Sequence, residues 1–445
     1  MQFPISSLKC LTLLLAALGL GGAALAQTAA QAPALSAAKG LSFADYLSAV
    51  EQHSLELQSQ QQSVVSAKAG VGIAGIRPDP QLTLGASREQ VRTGTPRPLN
   101  RNYEVSMELE TGGKRSARIR AARSQVRLAE AGVEGFRTQL FSDAAQDFTQ
   151  ACRDQQALQR KEQTLKALSD VVKANEVRRK AGDIGTVEWR QSRVERDQFQ
   201  ADVTQARADA QTSRLALSVP LGRKLSEVFS SEDLQCDFQP FANGKNIEAL
   251  VVQALDARSD VRVAQAALDN ARDNAGVAQA NRWVNPTLAV GVAAIPATAA
   301  GVDNEGKAFD AGNRSRMLSV SVSVPIPFSR LNRGEVLQAE SVVTQAMLGL
   351  QQSQHKAEAD VRSAYFRFAA AQENVERYRS NVLTDAQRVL ESIRLSYRHG
   401  EASLLELLSA QRSADDAYLG YLQAEADLAK ATVDLQLSIG QRPAL

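Results

Sequence analysis

Proline is absent from two long stretches of this 445-residue chain, and that absence is the strongest structural signal in the sequence. The stretches are residues 114–180 and 332–398. Proline in a helix interior removes a backbone hydrogen bond and clashes with the preceding turn, so its absence permits a long helix. Apolar residues recur at three- and four-residue steps through the first stretch, which predicts α-helix. Each helix would be roughly 100 Å long at ~1.5 Å per residue, too long for a compact globular domain.

Net charge and aromatic residues are also scarce. The 51 basic and 49 acidic residues leave a formal charge of +2, which gives no reason to expect nucleic acid as a partner. Aromatic residues make up 5% of the chain, a proportion typical of long helices that bury narrow seams. After residue 26 there is no run of about 18 apolar residues, so the sequence predicts no membrane-spanning helix.

The first 26 residues have the features of a signal peptide. Lys9 precedes the apolar residues 11–25, and Ala24 and Ala26 form a small-x-small cleavage site. We therefore expect export and a mature chain that begins at Gln27.

The chain has three cysteines. Cys10 would leave with the signal peptide, and no cysteine follows the cleavage site to carry a lipid anchor. Cys152 falls in the middle of a predicted helix and Cys236 in a loop-like segment, so we expect two inert thiols rather than a disulfide.

The second half of the chain repeats the organisation of the first. Three pairs of residues keep a constant separation of 218 positions, which indicates an internal duplication: Gly182 and Gly400, Glu188 and Glu406, and Gly222 and Gly440. The first repeat is expected at 27–221, with a short helix at 41–75, strands in 80–110, a long helix at 114–180 and a short helix at 186–221. The second is expected at 247–440, with a short helix at 247–281, strands in 286–326, a long helix at 332–398 and a short helix at 404–439. Residues 222–246 and the tail 441–445 would form an equatorial belt where the short helices end.

Four segments alternate between apolar and polar residues, which predicts β-strands. In one of them Tyr103, Val105 and Met107 would face one side, and Glu104 and Glu108 the other. Each segment has about nine residues, the length of a tilted membrane-spanning strand, although a small soluble sheet shares this pattern. Lipid does not tolerate open sheet edges, so closure would need eight strands from two copies or twelve from three. Glu104 and Glu108 should then face the water inside the barrel, because ionised carboxylates are disfavoured in lipid.

No residue pattern indicates catalysis or a bound cofactor. His53, His355 and His399 are isolated from one another and have no paired metal-ligand spacing. The glycines at 112–113 lack the earlier glycine and the Ser or Thr of a phosphate-binding loop. We expect no enzyme, no metal site and no cofactor.

These features resemble the outer-membrane efflux protein (TolC-type) family, the exit ducts of tripartite pumps in Gram-negative bacteria. The resemblance covers essentially the whole mature chain and rests on the duplicated order of strands, long helix, turn and helix. The run Glu-Thr-Gly-Gly-Lys-Arg at 110–115 and the run Ser-Val-Pro-Ile-Pro at 323–327 are most similar to the cobalt–zinc–cadmium efflux branch.

The resemblance implies a mainly α-helical fold with a small antiparallel β part. Duplicated long helices would form a periplasmic α-barrel, and four transmembrane strands per chain would contribute to a shared trimeric β-barrel. The implied partners are two further copies in a homotrimer, outer-membrane lipid, a periplasmic adaptor (membrane fusion) protein and an inner-membrane transporter of the resistance-nodulation-division type.

The two helix turns would form the periplasmic tip and contact the adaptor. We expect these contacts at Gly182, Asp183, Gly185, Thr186, Gly400, Glu401 and Ser403. In each turn a glycine would end the long helix, and Thr186 or Ser403 would cap the next one. The carboxylates Asp183, Glu188, Glu401 and Glu406 would ring the entrance.

The expected function is a passive exit duct for heavy-metal cations in the outer membrane. Two alternatives stay open. One is a multidrug or general efflux duct of the same architecture. The other is a soluble periplasmic coiled-coil scaffold or adaptor whose sheets never enter lipid.

Overall fold

The computed structural model describes residues 40–88, 98–231, 233–238, 241, 246–302, 306–327 and 333–445. The signal peptide expected at 1–26 lies outside these residues. Among the described helices, none combines the length and the hydrophobicity that crossing a membrane would require.

The main helices and strands follow the same order in both halves of the chain, with two short strands added in the second half. The first half contains α1 (Phe43–His53), α2 (Leu55–Ala74), β1 (Gln81–Ser87), β2 (Asn100–Glu108), α3 (Lys114–Ala181), α4 (Thr186–Ala216) and α5 (Ser218–Leu221), followed by the connector helix α6 (Leu225–Val228). The second contains α7 (Ile247–Ala257), α8 (Ser259–Ala280), β3 (Thr287–Ile295), β4 (Gly301–Val302), β5 (Ala308–Phe309), β6 (Ser315–Ser323), α9 (Arg333–Arg377), α10 (Leu383–His399) and α11 (Leu404–Ser438).

The two long helical segments differ in regularity. Helix α3 is a single α-helix of 68 residues. Its counterpart is helical from Arg333 to His399 but contains a π-helical turn at Tyr378–Val382, between α9 and α10. At this turn Tyr378 packs against Gly420 of α11, where an added Cβ would lie 2.7 Å from the Tyr378 hydroxyl. The long helix predicted over 332–398 is therefore helical over its described residues, with a π-helical turn that the sequence did not predict.

The helices pack side by side in one layer. Towards the sheet, α3 contacts α2 and α8, and α8 contacts α9. Towards the helix turns, α3 contacts α4 and α11, and α11 contacts α9 and α10. Each half of α3 is thus accompanied by two short helices, and the two halves are accompanied by different ones.

Both N-terminal short helices are kinked, which the sequence analysis did not predict. The backbone leaves the helical conformation at Ser54 between α1 and α2, and at Arg258 between α7 and α8. A positive-φ glycine packs against each kink: Gly222 (φ 68°) against Leu55, and Gly440 (φ 72°) against Ala257. These contacts are the places where short helices meet end to end.

The thickest part of the core lies halfway along α3. Phe148 of α3 is fully buried and packs on Phe43 and Tyr46 of α1, with ring centroids 5.4 and 5.6 Å apart. The Tyr46 hydroxyl donates a hydrogen bond to the Leu217 carbonyl at 3.1 Å. These groups come from α1, α3 and the end of α4. The core therefore holds the helices of the first repeat together halfway along α3.

Cys152 and Cys236 form a disulfide in this core, with their Cα atoms 5.5 Å apart. The prediction of two inert thiols was wrong. The connector returns to the middle of α3, where Leu234 pairs with Leu41 in a parallel bridge, and this brings Cys236 to Cys152. The two cysteines are 84 residues apart in the sequence, so the sequence pattern gave no sign that they are close in space.

The strands form one antiparallel sheet in the order β1-β2-β3-β6. The central pairing, between β2 and β3, joins the two repeats: Val105 lies opposite Val290, and Met107 opposite Leu288. Strands β4 and β5 form a separate two-stranded sheet that was not predicted.

Candidate functional site

The four-stranded sheet has one largely apolar face, and an opposite face of mostly small and polar residues that also carries Met317. Cross-strand partners share a face, and the register places the large apolar side chains together: Leu82, Leu84, Tyr103, Val105, Met107, Leu288, Val290, Val292, Leu318, Val320 and Val322. All of them except Leu288 are exposed, with Leu84 at 66% and Leu318 at 71%. Soluble proteins rarely expose an apolar patch of this extent, so this face is an interaction surface.

Glu104 and Glu108 lie on the opposite face of the sheet. Glu104 is half-buried and stands across from Thr83 on one neighbouring strand and Gly291 on the other. Glu108 is exposed and accepts a hydrogen bond from Asn285 Nδ2 at 2.5 Å. The structure thus separates both carboxylates from the apolar face.

The outer edges of this sheet have no strand partner among the described residues. Strand β1 pairs only with β2, and β6 only with β3. An edge strand presents unpaired backbone donors and acceptors to any neighbouring chain. The sheet is therefore open for pairing at both ends.

A tryptophan marks the border between sheet and helices. Trp283 is 66% exposed, and its indole lies where an added Cβ on Gly112 would sit, at a positive-φ turn. Thr111 Oγ1 donates to the Val284 carbonyl at 2.5 Å, and Lys114 Nζ donates to Asn285 Oδ1 at 2.7 Å. These bonds fix the end of β2 to the start of β3.

The first helix turn ends α3 with a left-handed glycine. Gly182 has φ 87°, and the Asp183 amide donates to the Arg178 carbonyl at 2.9 Å. The N-cap of α4 is Gly185, without a side-chain hydrogen bond, and Thr186 is the first helical residue. The prediction of Thr186 as the N-cap was wrong because the extended conformation that a cap requires falls one residue earlier.

The second turn has the cap that was expected. Gly400 (φ 80°) ends α10, and the Ser403 hydroxyl accepts a hydrogen bond from the Glu406 amide at 3.2 Å. Glu406 Oε2 in turn accepts from the Ser403 amide at 2.7 Å, completing a capping box. The backbone and hydroxyl hydrogen bonds of Ser403 lower the pKa of Glu406.

The four carboxylates expected at the entrance are not equivalent. Asp183 and Glu401 are exposed within the turns. Glu188 is half-buried, and its Oε1 lies 3.1 Å from the Tyr397 hydroxyl, which is also 2.7 Å from Asn175 Oδ1. Since Glu406 caps its own helix, two of the four are held by neighbouring residues.

Stacked arginines at the first turn were missed by the sequence analysis. The guanidinium groups of Arg179 and Arg193 lie 4.9 and 5.0 Å from the centre of the Trp189 indole ring. Arg178 stacks on Tyr397 of α10 at 5.3 Å. The one sequence signal was Trp189, one of only two tryptophans, placed among basic residues just after the turn.

An apolar groove lies beside the turns, between α4 and α11. Its volume is about 620 Å³, and its lining includes Val187 and Leu405, which are 71% and 77% exposed. Arg412 of α11 bridges to Glu195 of α4 along its wall, with Nε 2.9 Å from Oε1. The lining combines these apolar side chains with polar ones, among them Arg190 and Gln191.

In the described part of the chain, no group of three or more His, Cys, Asp or Glu residues is arranged to hold a metal ion. The chemistry of these sites is therefore that of surfaces: an apolar sheet face, a polar opposite face, and a tip of turns with a groove.

Known proteins match this chain along most of its length. A family model, outer membrane efflux protein, matches residues 46–223 and 250–441. The cobalt-zinc-cadmium resistance protein CzcC of Cupriavidus metallidurans is 23% identical over 397 residues, 89% of each chain. Among solved structures, CusC, studied for transmembrane channel formation, has a TM-score of 0.69 at 19% identity, covering 90% of this chain and 92% of that one. The outer membrane protein VceC of Vibrio cholerae has a TM-score of 0.69 at 17% identity, covering 90% and 97%.

At these identities the structural matches establish the fold. The expected fold class, mainly helical with a small antiparallel sheet, is confirmed at that level.

Proposed function

Because the chain belongs to the outer membrane efflux protein family, we propose that it is the outer-membrane channel of a tripartite efflux pump, a passive exit duct and not an enzyme. The observation that carries the proposal is the sheet. It exposes a face of large apolar side chains, and within the described residues the outer edges of β1 and β6 have no strand partner.

An apolar face and two open edges support a wall shared between copies. Lipid would cover the apolar face, and each β1 would pair with β6 of a neighbouring copy, so that no backbone group faces lipid unpaired. Three copies would close a twelve-stranded barrel. Glu104 and Glu108 would then point into its water-filled interior.

The helix turns would form the periplasmic tip. The positions proposed for adaptor contact are Gly182, Asp183, Gly185, Thr186, Gly400, Glu401 and Ser403, beside the apolar groove of α4 and α11. The adaptor would connect the tip to an inner-membrane transporter of the resistance-nodulation-division type. Asp183 and Glu401, exposed in the turns, would act on passing cations more directly than Glu188 and Glu406, which have partners.

Heavy-metal cations are the proposed cargo, supported by the similarity to a cobalt-zinc-cadmium resistance protein. Deleting the gene from its host should raise sensitivity to these cations, and the intact gene should restore resistance. A strain that became sensitive to organic drugs while keeping its metal resistance would favour the alternative of a multidrug duct.

The two tryptophans give a direct test of membrane insertion, because Trp283 borders the sheet and Trp189 lies at the helix turns. The chain would be reconstituted in vesicles whose lipids carry bromine near the headgroup. In Trp189→Phe, where only Trp283 remains, we expect strong quenching, because tryptophan at this border would sit in the membrane interface.

Trp283→Phe is the matched control and should be quenched little. Absence of quenching in both variants, with the chain remaining in the aqueous phase, would refute the channel and favour a soluble scaffold.

A further inference from the structure

The disulfide between Cys152 and Cys236 is a covalent modification that the proposed channel function does not require. We propose that it is installed by an extracytoplasmic dithiol oxidase, a protein carrying a reactive disulfide, before the middle of the chain packs. Cys152 is the residue that first reacts with this oxidase.

The location of the sulfur atoms supports the order of events. Cys152 is 1% exposed and belongs to the same buried cluster as Phe148 and Leu234. Cys236 is half-buried on the connector and packs against that cluster. Thiol–disulfide exchange needs in-line access of one sulfur to another, so the folded core would exclude a protein oxidant from Cys152.

The backbone beside Cys236 is also closed over the core. The Leu41 amide donates to the Asp233 carbonyl at 2.6 Å, and the Gln235 amide donates to the Leu41 carbonyl at 2.9 Å. These bonds join the connector to the residues just before α1. Oxidation must therefore precede or accompany the docking of α1 and the connector on α3.

The order of the two cysteines in the chain sets their roles. Cys152 leaves the export machinery first, with Cys236 following 84 residues later. In the first step, the Cys152 thiolate attacks the oxidase disulfide, forming a mixed disulfide and releasing the second oxidase sulfur as a thiolate. In the second step, the Cys236 thiolate attacks the Cys152 sulfur and expels the other oxidase thiolate. Overall, two thiols of this chain are oxidised, the oxidase disulfide is reduced to a dithiol, and the two protons lost by the cysteine thiols are balanced by the two that the oxidase thiolates take up.

The product joins the connector between the repeats to the midpoint of α3. Cross-linking across a closed loop of this length restricts the unfolded chain and favours the native arrangement of the belt. The oxidation of Cys152 and Cys236 does not depend on which cargo the duct carries or on whether the sheet enters a membrane. The test of the disulfide is therefore independent of the test of the channel.

The first measurement uses the unaltered full chain. Free thiols are blocked with an alkylating reagent during denaturation, and trypsin then releases residues 138–153 and 225–245, which carry the two cysteines. In a host with the oxidase, these peptides should be recovered linked. In a host without it, the linked pair should fall at least tenfold and both alkylated peptides should replace it. Recovery of the linked pair at the same level in both hosts would overturn the proposal.

The second measurement separates the roles of the cysteines and does not require the variants to fold. Cys236→Ser removes the resolving thiol, so a reducible adduct of the chain with the oxidase should accumulate through Cys152. Cys152→Ser is the matched control: after a short labelling pulse its adduct, through Cys236, should appear later, because Cys236 follows Cys152 by 84 residues in the chain. Adducts that appear at the same time in the two variants, or first in Cys152→Ser, would overturn the assigned order.

Discussion

Gly440 offers the sharpest test of how the helices meet end to end. It has φ 72°, and a Cβ built on it would lie 2.6 Å from Ala257 Cβ and 2.8 Å from the Ala257 carbonyl carbon. Real Cβ atoms do not approach backbone this closely, so Gly440→Ala must displace α7 or α11. An alanine in the left-handed conformation costs ~1 kcal/mol, and overpacking a well-filled site adds ~2 kcal/mol. We expect Gly440→Ala to lower the free energy of unfolding by about 3 kcal/mol in total.

Two other glycines calibrate this expectation. Gly222 has φ 68° at the equivalent junction, but an added Cβ would lie 3.1 Å from Leu55 Cγ and 3.2 Å from the His53 carbonyl oxygen, so its contacts are less close than those at Gly440. Gly222→Ala should therefore cost less, about 1.5 kcal/mol. Gly349 lies within α9 with nothing within 4 Å of an added Cβ, so Gly349→Ala should stabilise the helix by ~0.5–1 kcal/mol.

Denaturant unfolding followed by helical circular dichroism would measure all three variants under one set of conditions. The expected order of stability is Gly349→Ala, then the unaltered chain, Gly222→Ala and Gly440→Ala. If Gly440→Ala were as stable as Gly349→Ala, the junction would not be packed as described, and the explanation of the glycine pair would fail.

Three further predictions concern single side chains and are measured by the same unfolding assay. Arg160 Nη2 of α3 lies 2.8 Å from Asp415 Oδ1 of α11. Asp415→Ala leaves this arginine without its carboxylate partner and should lower the free energy of unfolding by about 2–3 kcal/mol. An unchanged free energy of unfolding would show that the pair is not formed. Ser403→Ala should cost ~1 kcal/mol through loss of the N-cap, whereas Thr186→Ala should be nearly neutral; equal losses would contradict the cap assignments. Burial raises the pKa of Asp434, so its ionised form opposes folding at neutral pH, and Asp434→Asn should raise the free energy of unfolding there. This gain should shrink as the pH falls through the raised pKa and vanish below the usual aspartate range. A gain that does not change with pH would contradict the prediction.

Features that depend on neighbouring residues could be predicted well from the sequence. The missing prolines and the helical spacing of apolar residues predicted a helix over 114–180, and the structure has α3 at Lys114–Ala181. Alternation predicted strands in 80–110, where β1 and β2 lie. Ser403 was identified as a cap from its residue type in the turn after Gly400, and the structure adds a capping box with Glu406 three residues away.

The failures share a different cause. A cap at Thr186 was the natural choice by residue type, but the preceding turn places Gly185 in the extended conformation. The π-helical turn at Tyr378–Val382 lies beside Gly420 of another helix, which no local pattern reveals. The disulfide was missed because the connector's path back to α3 depends on how α1 and α3 pack.

The sequence by itself determined which segments are helices and strands, and which residues of each strand share a face, because these follow from backbone geometry within a few residues. Only the tertiary structure decided that β2 pairs with β3 across the two repeats, that Glu188 meets Tyr397, and that Cys152 meets Cys236. These contacts join residues far apart in the chain. Their formation depends on the free energy of packing whole helices together, which no short stretch of residues encodes.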